Sequence, residues 1–198
     1  MIQSLQDDEF VNTQFTSSTW QPGDQIGQLP EDIRGKYIFQ TNRDATVMLA
    51  FDGRLQYFYW TSASGIVWLP GTDGSYVKAP SDVSSDGSVI VGNLNNDRPF
   101  RWTAAGGSIG LGLPLGATGG GCLVSGDGNT VILNATLDLA TYHTAPYVLK
   151  NSGEYQFLGN APGFIRTVIT DVNYDGSVVV GTAYRADGTT QAFRARIR

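Results

Sequence analysis

The strongest constraint on the fold is a turn-and-strand motif that the chain repeats. SSDGSVIVG, which contains Asp86, recurs as NYDGSVVVG, which contains Asp175, 89 positions later. SGDGNTVILN around Asp127 and TNRDATVMLA around Asp44 are weaker copies of the same motif. These four aspartates are spaced by 42, 41 and 48 residues, and such a period indicates a repeat architecture.

Each repeat contains the sequence pattern of four strands. Asp-Gly is a hairpin signal because glycine accepts positive φ, and the Val-Ile-Val and Val-Val-Val runs are typical of strands buried on both faces. A third strand follows with an aromatic residue in register, at Phe58, Phe100, Tyr147 and Phe193. A fourth strand ends in Leu-Pro or Leu-Gly. Four-stranded units of about 40–50 residues are typical of propeller blades.

The sequence therefore predicts an all-β fold, a small β-propeller of about four four-stranded blades. The predicted repeat units are 37–71, 79–114, 121–160 and 168–198. The last unit lacks a Leu-Pro strand, and DQIGQLP (24–30) is a spare one, so we expect this N-terminal strand to join the last blade and close the ring. Residues 24–198 would form one propeller domain preceded by a tail, 1–23. The alternative is that the strand joins a neighbouring chain, which would make a swapped oligomer instead of a monomer.

Charge and composition exclude several classes of function. Thirteen basic and 18 acidic side chains give a net charge of −5, which argues against nucleic-acid binding. No apolar run approaches the roughly 18 residues of a membrane helix, so no membrane insertion is expected. The first ten residues have neither the basic start nor the apolar core of a secretory signal, and a single cysteine allows no internal disulfide.

The motif also resembles a known family. DGSVIVG followed by FRWTAAGG and LGLP is similar to the HAF repeats of bacterial extracellular and some phage-borne proteins. That resemblance covers about 37–198, and it implies a β-propeller-like repeat fold without established catalytic residues. It also implies a virion, extracellular or cell-surface location, although the sequence itself identifies no compartment.

The sequence offers little evidence for catalytic or metal-binding groups. Each Asp-Gly loop offers one carboxylate, too few for calcium, and a turn aspartate accepting backbone N–H groups is the favoured interpretation. Cys122 precedes a predicted buried strand and His143 is the only histidine, so a nucleophilic pair is not favoured. We therefore predict no catalytic residue, metal or cofactor. A glycoside hydrolase is an alternative because that reaction needs two carboxylates facing one cleft, and the predicted loops contain Asp73, Asp97, Asp138 and Asp187.

The loops of one face are the predicted binding site. Aromatic residues kept in register by the repeat are expected in the core, so the candidates are residues in the connections between the second and third strands and between blades. These candidates are Tyr76, Asn95, Asn96, Arg98, Tyr142, His143, Phe164, Tyr184 and Arg185. We expect a non-enzymatic interaction or structural module that binds a protein partner or an assembly neighbour. A carbohydrate-binding lectin is the alternative.

Overall fold

The computed structural model describes residues 31–33, 36–54, 56–138, 143–149 and 153–197. The chain divides into two compact units, Met1–Arg34 and Gly35–Arg198. In the first unit the described residues form one 3-10 helix, Glu31–Ile33. The predicted tail, 1–23, and the predicted closing strand, 24–30, lie outside the described residues.

The second unit consists of antiparallel β-sheets that follow one another along the chain. In the described part of this unit, the first three sheets each have four strands in sequence order, and the last has three. The strands are β1 Tyr37–Thr41, β2 Val47–Phe51, β3 Tyr57–Thr61, β4 Gly65–Trp68, β5 Val77–Val83, β6 Val89–Leu94, β7 Pro99–Thr103, β8 Gly107–Gly110, β9 Gly119–Val124, β10 Val131–Asp138, β11 His143–Leu149, β12 Tyr155–Phe157, β13 Arg166–Val172, β14 Val178–Tyr184 and β15 Thr190–Arg196. The first strands of the last three sheets thus begin two residues before the predicted repeat units.

The Asp-Gly motif forms the turn between the first and second strands of a sheet. Asp86, Asp127 and Asp175, here called the turn aspartates, each accept the N–H of the residue two positions later at 2.9–3.0 Å. Hydroxyl groups of neighbouring serines also donate to these carboxylates. These hydrogen bonds lower the pKa of all three carboxyl groups. The structural interpretation of the aspartates is therefore confirmed.

The same turn forms in the first sheet without a glycine. Gly87, Gly128 and Gly176 follow the turn aspartates with φ of 73–75°, and Ala45 occupies the matching position with φ of 53°. The Ala45 N–H donates to the Asn42 carbonyl at 3.1 Å, as the Gly87 N–H does to Ser84 at 2.9 Å. An L-residue is thus held in the left-handed region, where its Cβ is sterically disfavoured.

Each sheet packs its face against the preceding sheet in the chain. One apolar cluster joins the first two sheets and contains Leu49, Leu69, Ile90, Phe100 and Trp102. A second cluster joins the second and third sheets, and a third joins the third and fourth. The in-register aromatic residues supply much of this core, as predicted, since Phe58 and Phe100 are fully buried and Tyr147 and Phe193 are partly buried.

The sequence predicts strands buried on both faces, but the last sheet is buried on one face only. Val180 occupies the position of Leu49, Val91 and Ile132, which are fully buried, yet 39% of Val180 is exposed. One face of this sheet packs against the third sheet through Ile169, Val172 and Val179. Val180 points to the other face, and this is why the Val-Val-Val run is buried on one side only.

Candidate functional site

One end of the sheets presents the longer connections. Because the strands are antiparallel, the second-to-third strand loops and the links between sheets emerge at the same end. We call this end the loop face. The turn aspartates lie at the opposite end. Loops on a rigid scaffold commonly carry binding sites, and the loop face contains every described residue that the sequence predicted for binding.

Four aromatic rings of the first sheet form a groove on this face. Tyr37 and Phe51 are paired across β1 and β2, and their ring centroids are 5.8 Å apart. Tyr57 lies 5.3 Å from Phe51 and contacts Phe39 edge-on at 6.0 Å. Tyr37 is 66% exposed and Phe39 46%. With Ala79 and Pro80 of β5, these rings line a groove of about 390 Å³, which we call the aromatic groove.

A second depression continues the surface on the other side of Tyr57. It measures about 360 Å³ and is lined by Arg54, Gln56, Tyr57, Trp68, Leu69, Tyr76 and Val77. Trp68 is 47% exposed and Tyr76 is 60% exposed. Tyr57 borders both depressions, so exposed aromatic surface extends from the start of β1 to the link before β5. Arg54 and Gln56 supply hydrogen-bond donors at its rim.

The repeat does not require these aromatic residues. The strand register places Ala79, Gly121 and Val168 at the position of Tyr37, and Asn93, Asn134 and Thr182 at the position of Phe51. Pro99, Pro146 and Ala192 occupy the position of Tyr57. Phe39 lies in a bulge of β1 whose counterparts in β5 and β13 are Ser81 and Thr170. Since the other three sheets form without aromatic residues at these positions, the groove is a property of the first sheet alone.

Sequence reasoning missed this site although it named one of its neighbours. Tyr76 was predicted, but Tyr37, Phe39, Phe51 and Tyr57 were not. The signal was present as aromatic residues at positions where the other repeats have non-aromatic ones. Reading it requires the strand pairing, because the bulge at Phe39 shifts the alignment within β1.

The predicted residues of the second sheet cluster beside the aromatic surface. The Asn95 N–H donates to the Tyr76 carbonyl at 2.9 Å, and Asn96 Nδ2 donates to Ser75 Oγ at 3.1 Å. Arg98 is exposed and its N–H donates to Asn96 Oδ1 at 3.2 Å. These contacts join the β6–β7 loop to the link before β5 and so fix the position of Tyr76.

The predicted residues of the last sheet form a separate cluster. The Arg185 guanidinium lies over the Phe164 ring at 4.4 Å, and the Arg166 guanidinium lies over the Tyr184 ring at 3.8 Å. Each of these two predicted rings is therefore partly covered by an arginine of the same sheet. His143 begins β11 and is exposed, whereas Tyr142 lies outside the described residues.

Cys122 and His143 do not lie together, and two of the four loop acids accept hydrogen bonds from neighbouring residues. Cys122 is buried, and burial raises the pKa of its thiol to about 12. It pairs with Leu133, whereas His143 pairs with Asp138, five residues further along β10, which corresponds to about 17 Å. Of the four loop acids, Asp187 accepts bonds from Thr189 that lower its pKa, and Asp97 accepts a bond from Lys78 Nζ at 2.6 Å. Among the described residues, no three His, Cys, Asp or Glu side chains converge to hold a metal ion.

Comparison with known proteins identifies the architecture. No family model and no curated protein matches the chain. Solved structures do match. TolB from Acinetobacter baumannii has a TM-score of 0.60 and 13% identity, and the match covers 82% of this chain and 41% of that one. TolB from Agrobacterium tumefaciens has a TM-score of 0.55 and 15% identity, and the match covers 79% of this chain and 60% of that one. The Swd1 β-propeller domain from Myceliophteria thermophila also matches, with a TM-score of 0.53 and 11% identity, over 82% of this chain and 56% of that one.

The fold is a β-propeller. The predicted all-β blades are confirmed, with three blades of four strands and one of three in the described residues. The chain spans about 41–60% of the length of these structures. At this identity the likeness shows the fold alone. Within the described part of the chain, no helix has the length and apolar composition needed to cross a bilayer.

Proposed function

We propose that this propeller is a non-enzymatic interaction module that binds a protein partner through its loop face. The observation that carries the proposal is the aromatic groove, in which exposed rings occupy positions where the other blades have no aromatic residue. Large aromatic side chains with an apolar surface and a polar tip are enriched where proteins bind one another. We place the centre of the interface between Tyr37 and Tyr76.

The polar surroundings of the groove suit a protein interface. Buried aromatic anchors commonly dominate binding energy, while a polar rim excludes water around them. Arg54, Gln56, Asn96 and Arg98 provide such a rim on the side of Tyr76. Lys78 and Asp97 pair with one another there, and the hydrogen bond from Lys78 to Asp97 raises the pKa of the lysine.

Affinity capture with matched variants tests the proposal. Wild-type protein, a groove variant carrying Tyr37→Ser and Phe39→Ser, and a control carrying Tyr174→Ser are immobilised and exposed to lysate of the source cells. Tyr174 is 63% exposed and lies in a turn at the opposite end, so the control removes one exposed aromatic ring away from the groove. We expect a protein retained by wild type and control to be lost by the groove variant. Equal retention by all three would refute binding through the groove.

The affinity change can then be measured with the captured protein. Truncating a central aromatic anchor costs about 2 kcal/mol or more, which corresponds to about thirty-fold in Kd. We expect at least this weakening for the groove variant and less than two-fold for the control.

A lectin is the second candidate because flat aromatic faces lie beside hydrogen-bonding side chains. Tyr57, Trp68 and Tyr76 line the second depression together with Arg54 and Gln56. A glycan array with wild type and a Trp68→Ala variant distinguishes the candidates. Glycan binding that this variant loses would favour the lectin, whereas a blank array with retained protein capture would favour the protein interface.

The proposal extends to assembly. We propose that the module works within a larger structure, and the resemblance to HAF repeats suggests a phage particle or a cell-surface complex. The proposal includes closure of the propeller, in which residues 24–30 complete the last blade by joining β15.

A further inference from the structure

The chain contains six Asp-Gly steps, and one of them differs from the rest. In five steps the aspartate carboxylate accepts the N–H of the residue two positions later at 2.7–3.0 Å. These aspartates are Asp52, Asp86, Asp127, Asp175 and Asp187. The sixth is Asp73, whose carboxylate accepts no hydrogen bond from any residue that the structure describes. Its side chain can therefore change rotamer without breaking a bond to the backbone, whereas the other five cannot.

Asp73 and Gly74 form an open turn in the link between the first two blades, on the loop face. The Ser75 N–H donates to the Thr72 carbonyl at 2.9 Å and closes the turn. The two central residues have φ of 52° and 75°, which is typical of a type I′ turn. Both are exposed, and a Cβ added to Gly74 would meet no atom within 4 Å. The space around this peptide is therefore open.

The glycines that follow the turn aspartates are crowded. A Cβ added to any of them would overlap a side chain of the preceding blade. The overlapping pairs are Gly87 with Val47, Gly128 with Val89 and Gly176 with Thr130. Gly53 and Gly188, which follow the other two bonded aspartates, have no such overlap. The six steps thus fall into three classes: crowded and bonded, open and bonded, and, at Asp73 alone, open with an unbonded carboxylate.

We propose that Asp73–Gly74 is a modification site, at which the aspartate of the folded protein isomerises through a cyclic succinimide. The Gly74 backbone nitrogen attacks the side-chain carboxyl carbon of Asp73, so a C–N bond forms, a C–O bond breaks, and the amide proton leaves with the hydroxyl group as water. Water then adds to one of the two ring carbonyl groups and breaks its C–N bond. Opening at the main-chain carbonyl leaves isoaspartate, and opening at the other restores aspartate. Water is the only co-reactant, and nothing is oxidised or reduced.

The hydrogen bonds of the other five aspartates oppose this chemistry in two ways. The attack requires rotation of the side chain toward the next nitrogen, which those bonds prevent. It also requires a protonated carboxyl group, because an ionised carboxylate has no hydroxyl to lose. Hydrogen bonds accepted by a carboxylate favour its ionised form, and they lower the pKa of all five carboxyl groups.

The modification would change the surface beside the turn. Isoaspartate adds one methylene group to the main chain between Thr72 and Ser75, whose hydrogen bond closes the turn. Ser75 Oγ accepts a bond from Asn96 Nδ2 at 3.1 Å, and the next residue is Tyr76. A longer turn therefore displaces Tyr76 from its place in the second depression. The chemistry at Asp73 does not depend on the function proposed for this surface.

Oxygen-isotope labelling tests the proposal on the wild-type chain. Folded protein is incubated for weeks at mildly acidic pH in water enriched in the heavy isotope of oxygen, digested with trypsin in ordinary water, and analysed by fragmentation mass spectrometry. Each opening of a succinimide leaves one heavy oxygen atom in the aspartate or isoaspartate. The tryptic peptide 55–78 contains Asp73 as its only aspartate, so its label is assigned directly. A parallel sample in guanidinium chloride gives the rate of each step without the fold.

We expect Asp73 to take up label in the folded protein at close to its denatured rate. The turn aspartates should be slowed by at least about ten-fold, the factor that corresponds to breaking a hydrogen bond to a charged group. An Asp73→Ser variant should remove the label from peptide 55–78. Slowing of Asp73 as strong as that of the turn aspartates would overturn the proposal. Labelling of Asp52 and Asp187 as fast as that of Asp73 would overturn the protective role of the bonded carboxylate, because these two steps are open and bonded.

Discussion

Replacing Ala45 with glycine should stabilise the protein, although the substitution removes a methyl group and adds no contact. Ala45 has φ of 53° in a turn whose other three copies have glycine at 73–75°. The residue is exposed, so the methyl group contributes little burial. The backbone hydrogen bond from Ala45 to Asn42 is made by the N–H and is retained in glycine.

The expected gain follows from two opposing terms. Holding an L-residue in the left-handed region costs about 1–2 kcal/mol, which glycine avoids. Glycine loses more conformational entropy on folding, at a cost of about 0.4–1 kcal/mol. The difference favours the variant by about 0.5–1 kcal/mol in the free energy of unfolding. For a chain of this length that corresponds to a rise of about 1–4 °C in Tm.

Thermal and urea unfolding followed by circular dichroism would measure this gain. Ala104→Gly is the matched control, because Ala104 is also an exposed turn residue and its φ is not positive. There only the entropic term acts, so we expect a loss of about 0.5–1 kcal/mol. A fall in Tm for Ala45→Gly, or an equal rise for both variants, would refute the reasoning.

Three further predictions concern packing, pH and thiol chemistry. Gly92→Ala should lower the free energy of unfolding in urea by about 1–3 kcal/mol, because a Cβ there overlaps the Ala79 carbonyl of β5. Gly121→Ala is the control: a Cβ there meets open space, so the free energy of unfolding should change by less than about 0.5 kcal/mol. The turn aspartates have lowered pKa values in the folded state, so the stability they contribute is present above the ordinary pKa of 3.8 and is lost as pH falls through the folded pKa values. The urea midpoint of unfolding should therefore fall between pH 6 and pH 2. Variants with asparagine at these positions should show a shallower fall. Burial raises the pKa of Asp82, which contributes in the opposite direction, since its carboxyl binds a proton more readily when folded. Cys122 should resist iodoacetamide at pH 8 in the native protein and react fully in denaturant; rapid native labelling would show that its strand opens.

The repeat made the architecture predictable because each blade forms from the same sequence pattern. Asp-Gly and the β-branched runs specify a hairpin through backbone geometry, which depends on neighbours in sequence. Ala45 shows how strongly the rest of the unit imposes that turn, since it forms there even without glycine. The exposed face at Val180 was not predictable, because burial depends on which sheet lies next to it.

The candidate site was harder to predict because it depends on pairing across strands. Tyr37, Phe51 and Tyr57 are separated in sequence and meet only through the register of β1, β2 and β3. Tyr76, Phe164 and Tyr184 were predicted as loop residues, although Tyr184 is the last residue of β14, and two of these rings contact arginines of their own blade. Position in a loop thus predicted residues of the loop face but did not distinguish covered rings from exposed ones.

The confinement of the aromatic groove to one blade has a consequence for how this surface can evolve. Since three blades fold with alanine, glycine, valine or small polar residues at the same positions, the scaffold tolerates a wide range of side chains there. Substitutions at Tyr37 or Phe51 can therefore change the surface proposed for binding while the inter-blade core stays intact. The corresponding positions of the other blades offer three further places where a new specificity could arise by the same route.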